Sequence, residues 1–155
     1  MKFSFPVSLE NQVREKEKQN IPDITEKLEG KRILLAEDNE LNAEIAETVL
    51  VEAGIEVKRV EDGLQCIEEL KKMPENYYDV ILMDVQMPNM DGYTATQRIR
   101  DLDDSRAEIP IIAMTANAYD EDRRKAQEAG MDGFLAKPLD VDEMMRLLGK
   151  ITKTE

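Results

Sequence analysis

The sequence predicts an α/β fold, a doubly wound five-stranded parallel sheet sandwiched by helices, and three observations carry that prediction. From Lys31 onward, short apolar segments alternate with helix-patterned segments at intervals of roughly 25–30 residues. Three of the apolar segments, in residues 32–36, 79–83 and 110–114, are near-continuous rather than alternating, as strands buried on both faces must be. Glycine or proline closes several of the helical patterns, at Gly54, Pro74 and Gly130.

The elements follow in order. RILLA (residues 32–36) is a short strand ending against Glu37 and Asp38. Residues 39–53 carry Leu41, Ile45, Val49 and Ala53 four apart, which predicts an amphipathic helix with that stripe turned to the core. IEVKRV (55–60) alternates as a strand, and Asp62-Gly63 turns it into a helix bearing Leu64, Ile67, Leu70 and Lys71. Residues 79–83 form a third strand that ends in Asp84, with Pro88 and Gly92 marking the loop that follows. Tyr93 to Leu102 is helical with Ile99 and Leu102 facing inward. PIIAM (110–114) is a fourth strand, residues 120–129 a helix, 134–136 a short fifth strand, and 141–148 a last helix. Right-handed crossovers are expected between the parallel strands.

Residues 1–29 read as an N-terminal arm and linker. KFSFPVSLE alternates Phe3, Phe5 and Val7 like a strand edge, then the chain becomes polar, with helical character around Val13 to Gln19 and punctuation at Pro22 and Gly30. Two readings stay open: a terminal arm of this domain, or the last strand of a preceding domain followed by a linker.

Composition narrows the chemistry. The net charge is −13; the first 29 residues hold five basic and six acidic side chains, so −12 falls on the remainder. Such a surface repels phosphate backbones, which argues against direct nucleic-acid binding and favours a basic partner or a divalent cation. There is no histidine and a single cysteine, Cys66, which excludes disulfide stapling, a Cys/His metal site and a histidine general base. A reducing, cytoplasmic setting fits this usage, and no apolar run suggests membrane contact by this segment.

Ligands of such sheets bind at the carboxyl ends of the strands. There the sequence places Glu37 and Asp38 after the first strand, Asp84 after the third, Thr115 after the fourth, and Lys137-Pro138 after the fifth. Clustered carboxylates repel one another unless a cation joins them, and Mg²⁺ suits one or two carboxylates plus waters and phosphate oxygens. Asp38 and Asp84 would be direct ligands, and Glu37 direct or through water. With Lys137 and the Thr115 hydroxyl opposite, the set makes a phosphoryl-transfer site in which Asp84 is the acceptor. Singly, each residue has an ordinary explanation: Asp38 or Asn39 as a helix cap, Lys137 as a structural ion-pair partner.

Three stretches, LLAEDNELNAEIAETVL, ILMDVQMPNMDGYTATQRIR and PIIAMTANAYDEDRRKAQEAGMDGFLAKPL, resemble the receiver domain of two-component response regulators. The wording EDNELN, MDVQMPNMDG and MTANA is similar to receivers attached to hybrid sensor histidine kinases. The resemblance covers about Lys31 to Leu148, placing a receiver domain at residues 30–150 and a tail at 151–155. It implies a flavodoxin-like sheet of strand order 2-1-3-4-5 and a Mg²⁺ site, with Mn²⁺ as a substitute, built from Glu37, Asp38, Asp84 and the backbone carbonyl of Gln86. It further implies Asp84 as phosphoacceptor, Thr115 as switch hydroxyl, Lys137 as the invariant lysine, and a cis peptide bond at Pro138. Phe134 takes the place of the switch aromatic, often tyrosine in relatives, while Gln86 and Asn117 occupy positions that tune dephosphorylation. The implied partner is a histidine kinase or a histidine phosphotransfer domain, and a homodimer is compatible. Self-catalysed phosphorylation and dephosphorylation are implied too; whether the chain is part of a larger enzyme stays open.

KFSFPVSL also resembles the closing strand of a histidine-kinase ATP-binding domain, so residues 1–29 would be that strand plus an interdomain linker, and the parent a larger, membrane-anchored kinase. The competing readings are a stand-alone single-domain regulator and a protein-binding module with a vestigial acidic site. A small-molecule phosphatase on a related scaffold would need an aspartate where Gln86 stands.

Overall fold

The computed structural model describes residues 28–116, 120–137 and 139–151. The strand-like start of the N-terminal arm, Asn117 and Pro138 lie outside the described residues. Five parallel strands, β1 (Arg32–Ala36), β2 (Glu56–Val60), β3 (Val80–Asp84), β4 (Ile111–Thr115) and β5 (Gly133–Ala136), form one sheet in the order β2-β1-β3-β4-β5. Five α-helices alternate with them: α1 (Glu40–Glu52), α2 (Gly63–Lys72), α3 (Gly92–Arg100), α4 (Asp120–Ala129) and α5 (Val141–Ile151). A short 3₁₀ turn at Ser105–Glu108, which hydrophobic periodicity did not reveal, precedes β4. This is the predicted doubly wound architecture.

Strand alternation splits the interior into two layers. Leu34, Ala36, Ile81, Met83 and Ala113 face α2, α3 and α4, against Cys66, Leu70, Ala95, Ile99 and Ala126. Ile33, Leu35, Leu82 and Ile112 face α1 and α5, against Ala46, Leu50, Met144 and Leu148. β3 and β4 are buried along their whole length, whereas β2, at the sheet edge, alternates exposed and half-buried residues. Leu28 is buried in the second layer, and Ile151 ends α5 and packs on the same layer, so packing runs slightly past residues 30–150 at both ends.

One expectation fails in an instructive way. The predicted core stripe of α1 starts in solvent: Leu41 is 66% exposed and Ile45 49%, Val49 is half-buried and Ala53 is 8% exposed. Residues four apart advance about 40° beyond a full turn at each step, so the stripe slides around the helix instead of following one face. The true inner arc is Ala43, Ala46 and Leu50. Leu64 of α2 is likewise exposed, while Cys66, Ile67 and Leu70 face in.

The chain leaves β1 toward β2 and returns to place β3 on the other side of β1. That reversal opens a crevice at the carboxyl ends of β1 and β3. No described helix is long and apolar enough to cross a membrane.

Candidate active site

The crevice gathers the acids the sequence singles out. Glu37, buried, and Asp38, exposed, follow β1, and Asp84, 5% exposed, is the last residue of β3. One carboxylate oxygen from each lies within 4.8 Å of the others. Asp38 is not spent as a helix cap. That role belongs to Asn39, whose side chain accepts from the Asn42 N–H at 3.0 Å, while its own N–H donates to Glu37 Oε2 at 3.1 Å.

Lys137, just past β5, reaches across two strands. Its Nζ sits 2.8 Å from Glu37 Oε1 and 3.0 Å from Asp84 Oδ2. The sheet sets this reach, because the Lys137 N–H donates to the Thr115 carbonyl at 2.7 Å and ties the end of β5 to the end of β4. Thr115 itself is buried at the end of β4. Gln86 follows β3, with its side chain exposed and its N–H donating to Asp84 Oδ1 at 3.2 Å. Phe134 is half-buried at the edge of the first core layer, with the Arg123 guanidinium 5.0 Å from its ring centroid.

The electrostatics follow from burial. Burial pushes the Asp84 carboxyl up from 3.8 to about 6; the Lys137 hydrogen bond opposes this and the Glu37 charge adds to it. For Lys137, burial alone would lower the pKa, but hydrogen bonds and charge from Glu37 and Asp84 outweigh it and leave it raised. Three carboxylates with one ammonium among them leave an excess of two negative charges, and their oxygens are close enough to share one ion. This donor set fits a hard divalent cation such as Mg²⁺.

A pH dependence follows. Because folding raises the Asp84 pKa, the folded state holds this proton more tightly than the unfolded chain. The stabilising contribution is complete below about 3.8 and is lost as pH rises through about 6. Without divalent metal, acidification from neutral pH into that window should therefore stabilise the wild-type chain relative to Asp84→Asn by about 2 kcal/mol. Urea melts of the pair across pH check this, and parallel pH profiles would refute it.

The β3–α3 loop lies close over Asp84. Asp91 caps α3 by accepting from the Thr94 N–H at 2.7 Å, and the Gly92 N–H donates to the Val85 carbonyl at 3.1 Å. A Cβ on Gly92 would stand 2.4 Å from the Asp84 carbonyl oxygen and 2.9 Å from Val85 Cα. Since both neighbours are backbone, Gly92→Ala should cost about 1–3 kcal/mol in a denaturant melt and shift the loop off Asp84.

Comparison with known proteins fits this arrangement. A family model described as the response regulator receiver domain matches residues 33–149. The chain belongs to that family. Among relatives of this receiver domain, the peroxide stress-activated histidine kinase Mak1 of Schizosaccharomyces pombe is 40% identical over 124 residues, covering 79% of this chain and 8% of that protein. The sensor histidine kinase RcsC of Escherichia coli K12 is 39% identical over 116 residues, covering 75% of this chain and 12% of that protein. The chain thus spans only a small part of these histidine kinases. The solved receiver domain of a Pseudomonas aeruginosa PAO1 sensor histidine kinase is 41% identical with a TM-score of 0.73, covering 81% of this chain and 99% of that one. That protein's structure contains a magnesium ion coordinated in its active-site cleft. As a receiver domain, the chain is a two-component signalling module with the flavodoxin-like strand order expected of it.

Sequence reasoning therefore named the residues the structure brings together. It passed over the end of β2, where Arg59 and Asp62 reach toward the same loops. Their only sequence signals were an alternating edge strand and an Asp-Gly turn.

Proposed function

We propose that this receiver domain accepts a phosphoryl group from a phosphohistidine onto Asp84. The observation that carries the reading is the Lys137 ammonium seated between Asp84 and Glu37, with Asp38 beside them, at the carboxyl end of the central strand. Glu37, Asp38, Asp84 and the Gln86 carbonyl would hold Mg²⁺, for which Mn²⁺ can substitute. The ion supplies charge neutralisation to the phosphoryl oxygens.

The chain's own groups perform the rest. An Asp84 carboxylate oxygen attacks phosphorus, the P–N bond to the donor imidazole breaks, and its electron pair stays on that nitrogen. A carboxylate needs no general base, so the absence of histidine from the chain is no obstacle. Lys137 balances charge on the phosphoryl oxygens and the Thr115 hydroxyl donates to one of them. Water later attacks phosphorus, the P–O bond to Asp84 breaks, and orthophosphate leaves; Gln86 and Asn117 hold the sequence positions that tune this step. The added negative charge draws Thr115 inward, and Phe134 follows it as the switch ring.

The donor is a histidine kinase or histidine phosphotransfer domain. The setting is the cytoplasmic portion of a hybrid kinase, supported by relatives of Dictyostelium discoideum that are named hybrid signal transduction histidine kinases. The acidic surface argues against direct nucleic-acid contact. Incubation with acetyl phosphate tests the reaction without a protein partner. A Mg²⁺-dependent acyl phosphate, lost on chelation, is expected; no label at any Mg²⁺ concentration would mark a vestigial site.

A further inference from the structure

The carboxyl end of β2 contributes no carboxylate to the acidic cluster, yet its side chains grip both loops that do. Arg59 donates from Nε to the Glu37 carbonyl at 3.1 Å and from a terminal nitrogen to the Asp38 carbonyl at 3.2 Å. Three residues on, Asp62 is 4% exposed and divides its carboxylate between two tasks. Oδ1 accepts from the Gln65 N–H at 2.8 Å and caps α2, while Oδ2 accepts from Asn89 Nδ2 at 2.7 Å. Beside it, the Gly63 N–H donates to the Met90 carbonyl at 3.0 Å. A Cβ on Gly63 would meet that oxygen at 2.7 Å, so only glycine lets the turn and the loop come this close.

Asn89 itself lies at φ 67°, a left-handed conformation that asparagine tolerates better than most residues. The contact therefore fastens the β3–α3 loop at its left-handed residue. A buried carboxylate is costly unless its oxygens are used, and both oxygens of Asp62 are.

We infer that residues 59–63 are a positioning brace for the cation site. Arg59 holds the β1–α1 loop by the backbone of the acidic pair, and Asp62 with Gly63 holds the β3–α3 loop through Asn89 and Met90. The brace sets the spacing between Glu37 and Asp38 on one side and Asp84 and the Gln86 carbonyl on the other. It rests on the metal-dependent phosphoacceptor reading.

Charge and brace predict opposite outcomes at Arg59. Removing a cation beside three carboxylates should, on charge alone, tighten Mg²⁺; removing a brace should weaken it. Calorimetric titration of Mg²⁺ into the full chain is the readout. Arg59→Ala and Asn89→Asp should each weaken binding about tenfold, the lower end of what outer-layer contacts contribute to metal sites. Asn89→Asp leaves the α2 cap in place but sets one carboxylate against another at Asp62, and its added negative charge would by itself tighten Mg²⁺. The swap Asp62→Asn with Asn89→Asp restores a donor–acceptor pair at unchanged net charge and should recover most of the loss. If Asn89→Asp does not fold, Asn89→Ala cuts the same tie and should show the same weakening.

Tighter or unchanged binding in Arg59→Ala overturns the brace, as does tighter or unchanged binding in the variant that cuts the Asp62–Asn89 tie, or a swap no better than Asn89→Asp. A wild-type chain that binds no Mg²⁺ sinks the phosphoacceptor reading and the brace together. A wild type that binds, with variants that match it, sinks the brace alone.

Discussion

Asp84→Asn should abolish acyl-phosphate formation while the protein keeps its fold. The amide is nearly isosteric with the carboxylate, so the hydrogen bond from the Gln86 N–H and the packing at the end of β3 are retained. What disappears is the nucleophilic oxygen, and no neighbouring carboxylate can replace it. Glu37 is buried with Oε1 against Lys137 and Oε2 accepting from the Asn39 N–H, while Asp38 is exposed on the far loop. Labelling by a phosphodonor should fall by at least about a thousandfold, as expected when the covalent nucleophile itself is lost. Substantial labelling of the variant would move the acceptor elsewhere.

Lys137→Met should separate metal binding from phosphoryl transfer. Lys137 is the one side-chain cation in ion-pair contact with the acidic cluster among the described residues. Its loss leaves Glu37 and Asp84 buried without their partner, which should cost about 3 kcal/mol of stability in the absence of metal. Mg²⁺ then binds more tightly and returns part of that stability, since it alone now offsets the carboxylates. Transfer nevertheless slows by about a hundredfold or more, because no ammonium remains to balance charge on the phosphoryl oxygens. Chemical melts with and without Mg²⁺, beside acetyl phosphate kinetics, resolve the three effects. A variant that loses metal affinity and rate together would make Lys137 a structural residue.

Much of this site is legible in sequence because strand ends are. A run such as VILM terminating in Asp84 states both burial and the edge on which the acid emerges, and the parallel topology brings Glu37, Asp38 and Lys137 to that same edge. Helix faces are less legible. The four-apart spacing of Leu41, Ile45, Val49 and Ala53 looks like a core stripe, but helical geometry rotates it from solvent to core along its length. Least legible are contacts between loops. Arg59 and Asp62 look like a solvated strand residue and a turn signal, and only their hydrogen bonds in the folded chain show that they reach the Glu37 carbonyl and Asn89.

The central claim is that a phosphoryl group passes from histidine to Asp84. Mass spectrometric mapping after transfer from a phosphorylated histidine phosphotransfer domain, with and without Mg²⁺, tests it most directly. The account predicts one phosphoryl group, on Asp84, formed only with the metal and accompanied by loss of label from the donor. Label on any other residue, or equal labelling after chelation, would contradict it.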